Sequence, residues 1–306
     1  MHLTLRQLKV FESTARHLNY TRAAEELFLT QPAVSMQVKQ LEESLGVALF
    51  EQLGKRVHLT EAGQEVLTYA RTVTQQLDEL ESVLNSLKGL SGGKLRISVA
   101  TTANYFIPIL LGTFSRRYPE VTVSLDVTNR EILLQQLTEN TVDLVIMGQP
   151  PAEADVEAEA FMENPLVIVA PPDHALAKQK KIPLKRLQDE VFLVREPGSG
   201  TRSAMERFFA EREIHLKTGM EVGSNEAIKQ SVQAGLGLGL LSRATIGQEL
   251  ELKRLVELDV AEFPIMRHWY VVHRKGKRLS AAAEKYKDFM LKEARTLMGK
   301  KAGESR

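Results

Sequence analysis

The chain has 306 residues, of which 43% are hydrophobic and 26% are charged, and its formal net charge is +1. This is an ordinary globular composition, and the length allows more than one domain. Because the sequence contains no cysteine, disulfides, cysteine-ligated metals and thiol nucleophiles are excluded. No segment reaches the roughly 20 apolar residues of a transmembrane helix, and we find no export signal. We therefore expect a cytoplasmic protein without a membrane partner, although the net charge predicts neither a nucleic-acid nor a membrane target.

The first part of the chain reads as three short helices. The first begins near Thr4, and Thr21 is predicted to cap the second. The third lies in TQPAVSMQVKQLEESLG, with Pro32 in its first turn, and it stops at Gly46. Its apolar residues recur at helical spacing and predict one buried stripe, formed by Val34, Val38, Leu41 and Leu45.

The opposite face of this third helix is small, mostly uncharged and able to form hydrogen bonds. It carries Gln31, Pro32, Ser35, Met36 and Lys39. Two short helices, a tight turn and such a helix describe a helix-turn-helix, whose second helix enters the major groove. There Gln can pair with adenine, Ser can bond to several bases, and apolar groups can touch the thymine methyl. Periodicity alone leaves open a three-helix scaffold whose polar face is merely solvated.

Two very short strands follow around Gly54. Their tip carries Lys55 and Arg56. Paired cations at the tip of a hairpin suit contacts with phosphates or with the minor groove. We therefore expect a wing beside the third helix.

Thr60 is predicted to open a long helix whose apolar residues alternate in steps of four and three. This heptad seam consists of Val66, Ala70, Val73, Leu77, Leu80, Leu84 and Leu87. A narrow apolar seam with polar flanks needs a partner helix, most simply from a second copy of the chain. The alternative is that the helix packs on the chain's own second domain.

After the Gly/Ser-rich stretch KGLSGGK, the pattern changes to alternating strands and helices. This alternation predicts an α/β array of parallel-type units, closed by a helix at 280–297. The final residues, 298–306, are expected to be disordered.

The loop REPGSGTR, 195–202, leads from a strand into a helix. Its backbone N–H groups, with Ser199, Gly200, Thr201 and Arg202, would form a cradle for an anion. It lacks the spacing of a P-loop, and a simple capped strand–helix turn is the alternative. The stretch GLGLG at 235–239 follows a helix and enters a strand, which is the wrong context for a dinucleotide fingerprint.

No pattern in the sequence predicts an enzyme. The seven histidines are scattered without metal-ligand spacing, so we expect no metal and no cofactor. No serine lies in a G-x-S-x-G turn, and nothing places two carboxylates across a cleft.

The run AAEELFLTQPAVSMQVKQLEESLGVALF, with the flanking stretches LRQLKVFESTARHLNYTR and VHLTEAGQ, resembles the LysR-type transcriptional regulators. The stretches NYTRAAEELFLTQPAVS and GLGLGLLS are similar to the subgroup that activates Calvin-cycle carbon-fixation operons. The resemblance implies a multidomain α+β and α/β fold. Its parts would be an N-terminal winged helix-turn-helix, a long linker helix and a two-lobed, periplasmic-binding-protein-like (type II) α/β effector domain. The implied boundaries are 1–60 for DNA binding, 61–88 for the linker and dimerisation helix, 89–93 for a hinge, 94–165 with 266–297 for lobe I, and 166–265 for lobe II.

The same resemblance assigns roles to individual residues. DNA contacts would come from Gln31, Pro32, Ser35, Gln37 and Lys39, backbone contacts from Thr21 and Arg22, and a wing contact from Arg56. Across the cleft from the 195–202 loop, the facing donors would be Thr101, Thr102 and Asn104, with Gln149 beside them.

The implied partners are a pseudo-palindromic double-stranded DNA operator, further copies of the chain in a homodimer or homotetramer, a small anionic metabolite and RNA polymerase. The implied function is an effector-dependent activator of RuBisCO genes, and another metabolic operon is the nearest alternative. A solute-binding protein is a rival from a different class, but it would need an export signal and no N-terminal helical module. An enzyme on the α/β scaffold would need convergent acid, base or nucleophilic groups.

Overall fold

The computed structural model describes residues 3–54, 56–87 and 92–304. The chain divides into two compact units, residues 1–90 with 139–141, and residues 91–138 with 142–306. Lys55 and residues 89–91 of the expected hinge lie outside the described ranges. None of the helices within those ranges combines the length and the apolar character that crossing a bilayer requires.

The first unit is built from short helices, a hairpin and one long helix. Its elements are α1 (Leu5–His17), α2 (Tyr20–Glu26), α3 (Gln31–Leu45), β1 (Phe50–Leu53), β2 (Arg56–Leu59) and α4 (Glu61–Leu87). Thr4 caps α1 as predicted: its Oγ1 accepts from the backbone N of Gln7 at 3.2 Å. The Gln7 side chain accepts in return from the backbone N of Thr4 at 2.8 Å, which completes a capping box.

The prediction that Thr21 caps α2 is wrong. The cap is Asn19, whose Oδ1 accepts from the backbone N atoms of Thr21 and Arg22 at 2.9 and 3.0 Å. Asn19 has extended backbone geometry, so its short side chain reaches over the first turn. Thr21 lies one residue inside the helix, and its side chain is free to face outward.

Helix α3 has the predicted start and end. Pro32 occupies its first turn, and Gly46 ends it in the left-handed region at φ 74°. The antiparallel hairpin of β1 and β2 follows, with registers running from Phe50↔Leu59 to Leu53↔Arg56. Glu42 of α3 holds the start of this hairpin, because its Oε1 accepts from the backbone N of Leu49 at 2.7 Å.

The start of α4 is fixed to the rest of the first unit. Thr60 Oγ1 donates to the carbonyl of Ala48 at 2.7 Å and accepts from the backbone N of Gly63 at 3.0 Å. A Cβ placed on Gly63 would lie 2.1 Å from the carbonyl oxygen of Leu49, so no side chain fits at this approach. The next turns of α4 join a core with α1 and α3, in which Phe11, Leu41, Leu49, Leu67 and Ala70 are at most 3% exposed.

The second unit contains two five-stranded mixed sheets. The first has the order β4-β3-β5-β12-β6 and contains β3 (Gly93–Ala100), β4 (Val121–Thr128), β5 (Leu144–Met147), β6 (Val156–Glu163) and β12 (His268–Arg274). The second has the order β11-β7-β10-β8-β9 and contains β7 (Leu166–Ala170), β8 (Val191–Arg195), β9 (Lys217–Val222), β10 (Leu238–Ser242) and β11 (Val256–Glu257). The helices packed on or beside these sheets are α5 (Ile107–Arg117), α6 (Arg130–Thr138), α7 (Gly200–Ala210), α8 (Asn225–Gln233), α9 (Gly247–Glu251) and α10 (Ala281–Glu304).

The prediction of parallel-type units holds for only part of each sheet. Strands β3, β4 and β5 are parallel to one another, as are β8, β9 and β10. In contrast, β12 is antiparallel to β5 and β6, and β7 is antiparallel to β10. Parallel pairing needs a crossover helix, whereas β7 and β12 are entered directly from the other lobe.

The last helix corrects the expected tail. It runs to Glu304, so residues 298–304 are helical rather than disordered, and 305–306 lie outside the described residues. The helix packs on the core of the first lobe through Tyr286, Phe289 and Met290, and Met298 still contacts that core. This packing extends the helix beyond the point where the apolar pattern in the sequence fades.

Candidate functional site

The outer face of α3 is open to solvent, as the sequence pattern predicts. Its exposed residues are Gln31, Pro32, Ser35, Met36 and Lys39. On the opposite side, Val34, Val38 and Leu41 are at most 1% exposed. The helix is therefore held by one apolar stripe, and the whole outer face remains available for a ligand.

The side chains predicted to flank this face differ in their surroundings. Thr21 and Arg22 are exposed at the start of α2, and Arg56 is exposed at the start of β2. Gln37 is half-buried, and its Nε2 donates to Gln40 Oε1 at 3.4 Å. Lys55, the other predicted cation of the wing, lies outside the described residues.

The heptad seam of α4 is divided between two environments. Ala70 is fully buried in the core of its own unit and Val66 packs against that core, so neither forms an open seam. Val73, Leu80 and Leu84 are 36%, 54% and 45% exposed. Leu77 does not belong to this open stretch, because it lines a groove of its own unit with Leu5, Val10, Leu27 and Leu29. The side chain of Leu87 is not among the side chains that the structure describes.

The second unit contains a small polar pocket between its two lobes. Three hydroxyls that line it are nearly buried, with exposures of 8% for Thr102, 5% for Ser199 and 7% for Thr201. Thr101 and Gly200 also line it. Its cavity volume is about 40 Å³, room for only a few water molecules.

Helix α7 begins at this pocket without a side-chain cap. Ser199 occupies the cap position, but its hydroxyl makes no capping hydrogen bond. The prediction of an anion cradle is therefore favoured over that of a capped turn, because N–H groups at a helix start attract negative charge when no side chain covers them. Trp269 also lines the pocket, and its buried Nε1 has no hydrogen-bond partner in the described part of the chain.

One buried guanidinium joins the lobes beside the pocket. Arg195 is 3% exposed and pairs with Glu196 through Nε–Oε2 and Nη2–Oε1 distances of 2.7 and 2.8 Å. It also donates to Asn225 and, at 3.4 Å, to Thr101. Asn225 Nδ2 in turn donates to Thr102 Oγ1 at 3.3 Å. The 3₁₀ turn Thr101–Tyr105 of one lobe is thus tied to β8 and α8 of the other.

Two more arginines line the pocket and have no carboxylate partner in an ion pair within the described ranges. Arg130 Nη1 donates to the carbonyl of Gln149 at 2.7 Å, and Arg267 Nη1 donates to the carbonyl of Gly200 at 2.9 Å. Burial, together with repulsion from Arg130 and Arg207, lowers the pKa of Arg267 to about 10. Burial and the charge of Arg207 likewise lower the pKa of Arg130. This region is therefore rich in uncompensated positive charge.

Three sequence predictions for this pocket need correction. Arg202 does not line it, because its guanidinium pairs with Glu206 at 2.8 Å and Glu221 at 2.6 Å. Asn104 is exposed and lies outside the lining, and Gln149 lines a neighbouring cavity instead. Three arginines that line the pocket were not predicted: Arg195, which begins the 195–202 loop itself, and Arg130 and Arg267, which come from distant segments.

Comparisons with known proteins identify both units. Residues 5–64 match the family "Bacterial regulatory helix-turn-helix protein, lysR family", and residues 88–295 match "LysR substrate binding domain". The chain belongs to the LysR family. The LysR regulator is therefore a DNA-binding transcriptional regulator, and its two units are the family's helix-turn-helix and ligand-binding parts.

Within the LysR family, the chain is similar to regulators of carbon-fixation genes. The LysR regulator is 59% identical over 294 residues to the RuBisCO operon transcriptional regulator of Allochromatium vinosum, covering 96% of this chain and 97% of the relative. It is 47% identical over 292 residues to the transcriptional regulator CbbR of Rhodospirillum rubrum, covering 95% and 97%. The solved regulatory domain of CcmR from Synechocystis, in complex with 2-PG, is 44% identical with a TM-score of 0.63, covering 65% of this chain and 96% of that domain.

Proposed function

We propose that this LysR regulator binds operator DNA of carbon-fixation genes and activates them when a small anion occupies its second unit. The exposed face of α3 carries the DNA-binding part of the proposal. Its hydrogen-bonding side chains match the donors and acceptors that bases present in the major groove. The 59% sequence identity to a RuBisCO operon transcriptional regulator supports carbon-fixation genes as the targets.

We propose that two copies pair through the open part of the α4 seam. Val73, Leu80 and Leu84 are large apolar side chains that remain exposed on one chain, and burying them would stabilise a helix pair. Pairing would position the two α3 helices so that they enter the major groove at successive turns of the DNA, and the operator should therefore be roughly palindromic. We expect a homodimer or homotetramer.

The proposed effector is a small carboxylate or phosphate. The uncapped start of α7 and the hydroxyls of Thr102, Ser199 and Thr201 are suited to an anion, and so is the guanidinium of Arg267, which has no carboxylate partner among the described residues. The related CcmR domain was solved with 2-PG, which makes 2-PG a suitable first ligand to test.

The size of the pocket indicates how a ligand would act. A cavity of about 40 Å³ holds only a few water molecules, so a metabolite enters only when the lobes separate. A ligand then shifts the balance between open and closed lobes by its unequal affinity for the two. Such a shift, transmitted to the paired subunits in the cytoplasm, would change DNA bending and contact with RNA polymerase.

The DNA-binding proposal is tested by sequencing genomic fragments retained by the purified full-length protein. We expect enrichment upstream of carbon-fixation genes, and we expect Gln31→Ala or Ser35→Ala to lose the sequence preference because each removes a base-reading group. Gln179→Ala, an exposed glutamine of the second unit, is the control. Unchanged fragment preference in both α3 variants would refute the assignment of the reading face.

The effector proposal is tested by footprinting on a retained fragment with and without 2-PG. We expect 2-PG to change the footprint of the wild type and to change that of Thr201→Val much less. An equal response in both proteins would remove the pocket from the mechanism.

A further inference from the structure

A second, larger cavity adjoins the small pocket in the same unit. It has a volume of about 470 Å³, which lies within the range of roughly 300–1,000 Å³ typical of small-molecule sites. Arg130, Gly200 and Arg267 line both cavities, so they form the wall between them. Ser203 and Arg207 line the larger cavity but not the small pocket.

The lining of this second cavity is strongly positive. Arg130, Arg207 and Arg267 all line it, and its described lining contains no aspartate or glutamate. None of the three makes an ion pair in the described part of the chain. The carboxylate of Glu153 raises the pKa of Arg130, but burial and the charge of Arg207 outweigh it. Three like charges around one cavity repel one another unless an anion enters.

The guanidinium groups at the wall are held in place, and most of their N–H donors have no partner among the described residues. Within the described residues, Arg130 and Arg267 each donate one hydrogen bond to a backbone carbonyl, at 2.7 and 2.9 Å, and a guanidinium has five N–H donors. Gly148 provides the room, since a Cβ there would lie 2.5 Å from Arg267 Nη2. Donors that are positioned without a carboxylate are suited to bidentate contacts with phosphate oxygens.

The rest of the lining is suited to a carbon skeleton. Pro150, Pro151, Met266 and Tyr270 contribute apolar surface, and Ser203 adds a hydroxyl beside Arg207. A site that combines several cations with apolar surface fits an organic phosphate better than a bare ion. The volume also admits a metabolite much larger than the small pocket can hold.

We propose that this second cavity is a separate binding site for a phosphorylated metabolite, in addition to the anion pocket at the start of α7. Arg207 is the residue that separates the two sites, because it lines only the larger one. Thr201 lines only the smaller one. The two sites are therefore expected to lose affinity through different substitutions.

The test is isothermal titration of the full-length protein with inorganic pyrophosphate in about 0.15 M salt, where charges at long range are screened. We expect Arg207→Gln to weaken pyrophosphate binding at least tenfold, equivalent to about 1.4 kcal/mol, because a cation leaves the site. Thr201→Val should change it less than twofold. Arg202→Gln is the matched control, since it removes an arginine from the same helix that lies outside both cavities.

Each other outcome overturns the proposal. If Thr201→Val weakens pyrophosphate binding as much as Arg207→Gln does, there is one site and not two. If Arg207→Gln behaves like Arg202→Gln, or the wild type binds no pyrophosphate, the second cavity is not an anion site. Footprinting with 2-PG on wild type and Thr201→Val tests the smaller pocket independently, so failure of one proposal leaves the other standing.

Discussion

Replacing Arg267 with glutamine should make the ligand-free protein more stable. Burial and the charges of Arg130 and Arg207 lower the pKa of Arg267 to about 10. At 1.36 kcal/mol for each tenfold change in proton affinity, keeping this group charged at neutral pH costs about 3 kcal/mol. The hydrogen bond from Arg267 to the carbonyl of Gly200 returns roughly 1.5–3 kcal/mol. The expected net gain of Arg267→Gln is therefore about 1 kcal/mol.

The gain should not depend on pH in the neutral range. The folded-state pKa is below the unfolded one, so the penalty is complete below about pH 10 and disappears only as the pH rises above it. We expect the same difference between the two proteins from about pH 6 to pH 9. Adding an anion should stabilise the wild type more than the variant, because the wild type keeps one more cation at the site and therefore binds the anion more tightly.

Urea unfolding followed by tryptophan fluorescence measures this directly, since Trp269 is the single tryptophan and lies buried beside the pocket. If the same fluorescence is followed during heating instead, a gain of about 1 kcal/mol would raise the thermal midpoint by about 2–4 °C. Arg243→Gln is the control of opposite sign, because Arg243 is paired with Glu257 and its loss should lower stability slightly. A loss of 1 kcal/mol or more in Arg267→Gln would show that the charge is compensated without a ligand.

Three further predictions concern the first unit. Gly63→Ala should destabilise it by about 1–3 kcal/mol, because the added Cβ meets a backbone carbonyl at 2.1 Å; thermal unfolding followed by circular dichroism measures this, and an unchanged transition would contradict the close approach. Leu80→Asp with Leu84→Asp should shift the sedimentation profile toward monomers, since exposed apolar side chains would become charged at the helix pair; dimers that persist would refute the pairing. Asn19→Ala should cost about 1 kcal/mol of stability through loss of the cap, whereas Thr21→Ala should not, and the reverse result would restore the capping role expected from the sequence.

Much of the first unit could be predicted because its signals are local. The apolar stripe of α3 and the left-handed end at Gly46 both follow from spacing and residue type within a few positions. The cap of α2 was available as a signal too, since Asn19 precedes the helix, but the nearby threonine has a similar preference. The heptad seam predicted one continuous partner, and the structure shows that Ala70 instead belongs to the chain's own core.

The anion pocket was only half predictable for a physical reason. The loop with Ser199 and Thr201 is a contiguous segment, and its hydroxyls line the pocket as expected. Arg195 belongs to the same loop, but Arg130 and Arg267 come from distant segments that only the folded chain brings beside it. Arg202 was the local candidate, but its geometry favours the carboxylates on its own helix and on β9.

The close approach at Gly63 has a consequence for the DNA that this protein can recognise. The long helix α4 starts against the loop that precedes the hairpin and shares a core with α3, so rotating α4 relative to α3 within one subunit would break these contacts. Inserting one base pair between half-sites rotates one of them by about a tenth of a turn, and a stiff junction cannot absorb that rotation. Natural binding sites for this protein should therefore vary more in base sequence than in the number of base pairs between their half-sites.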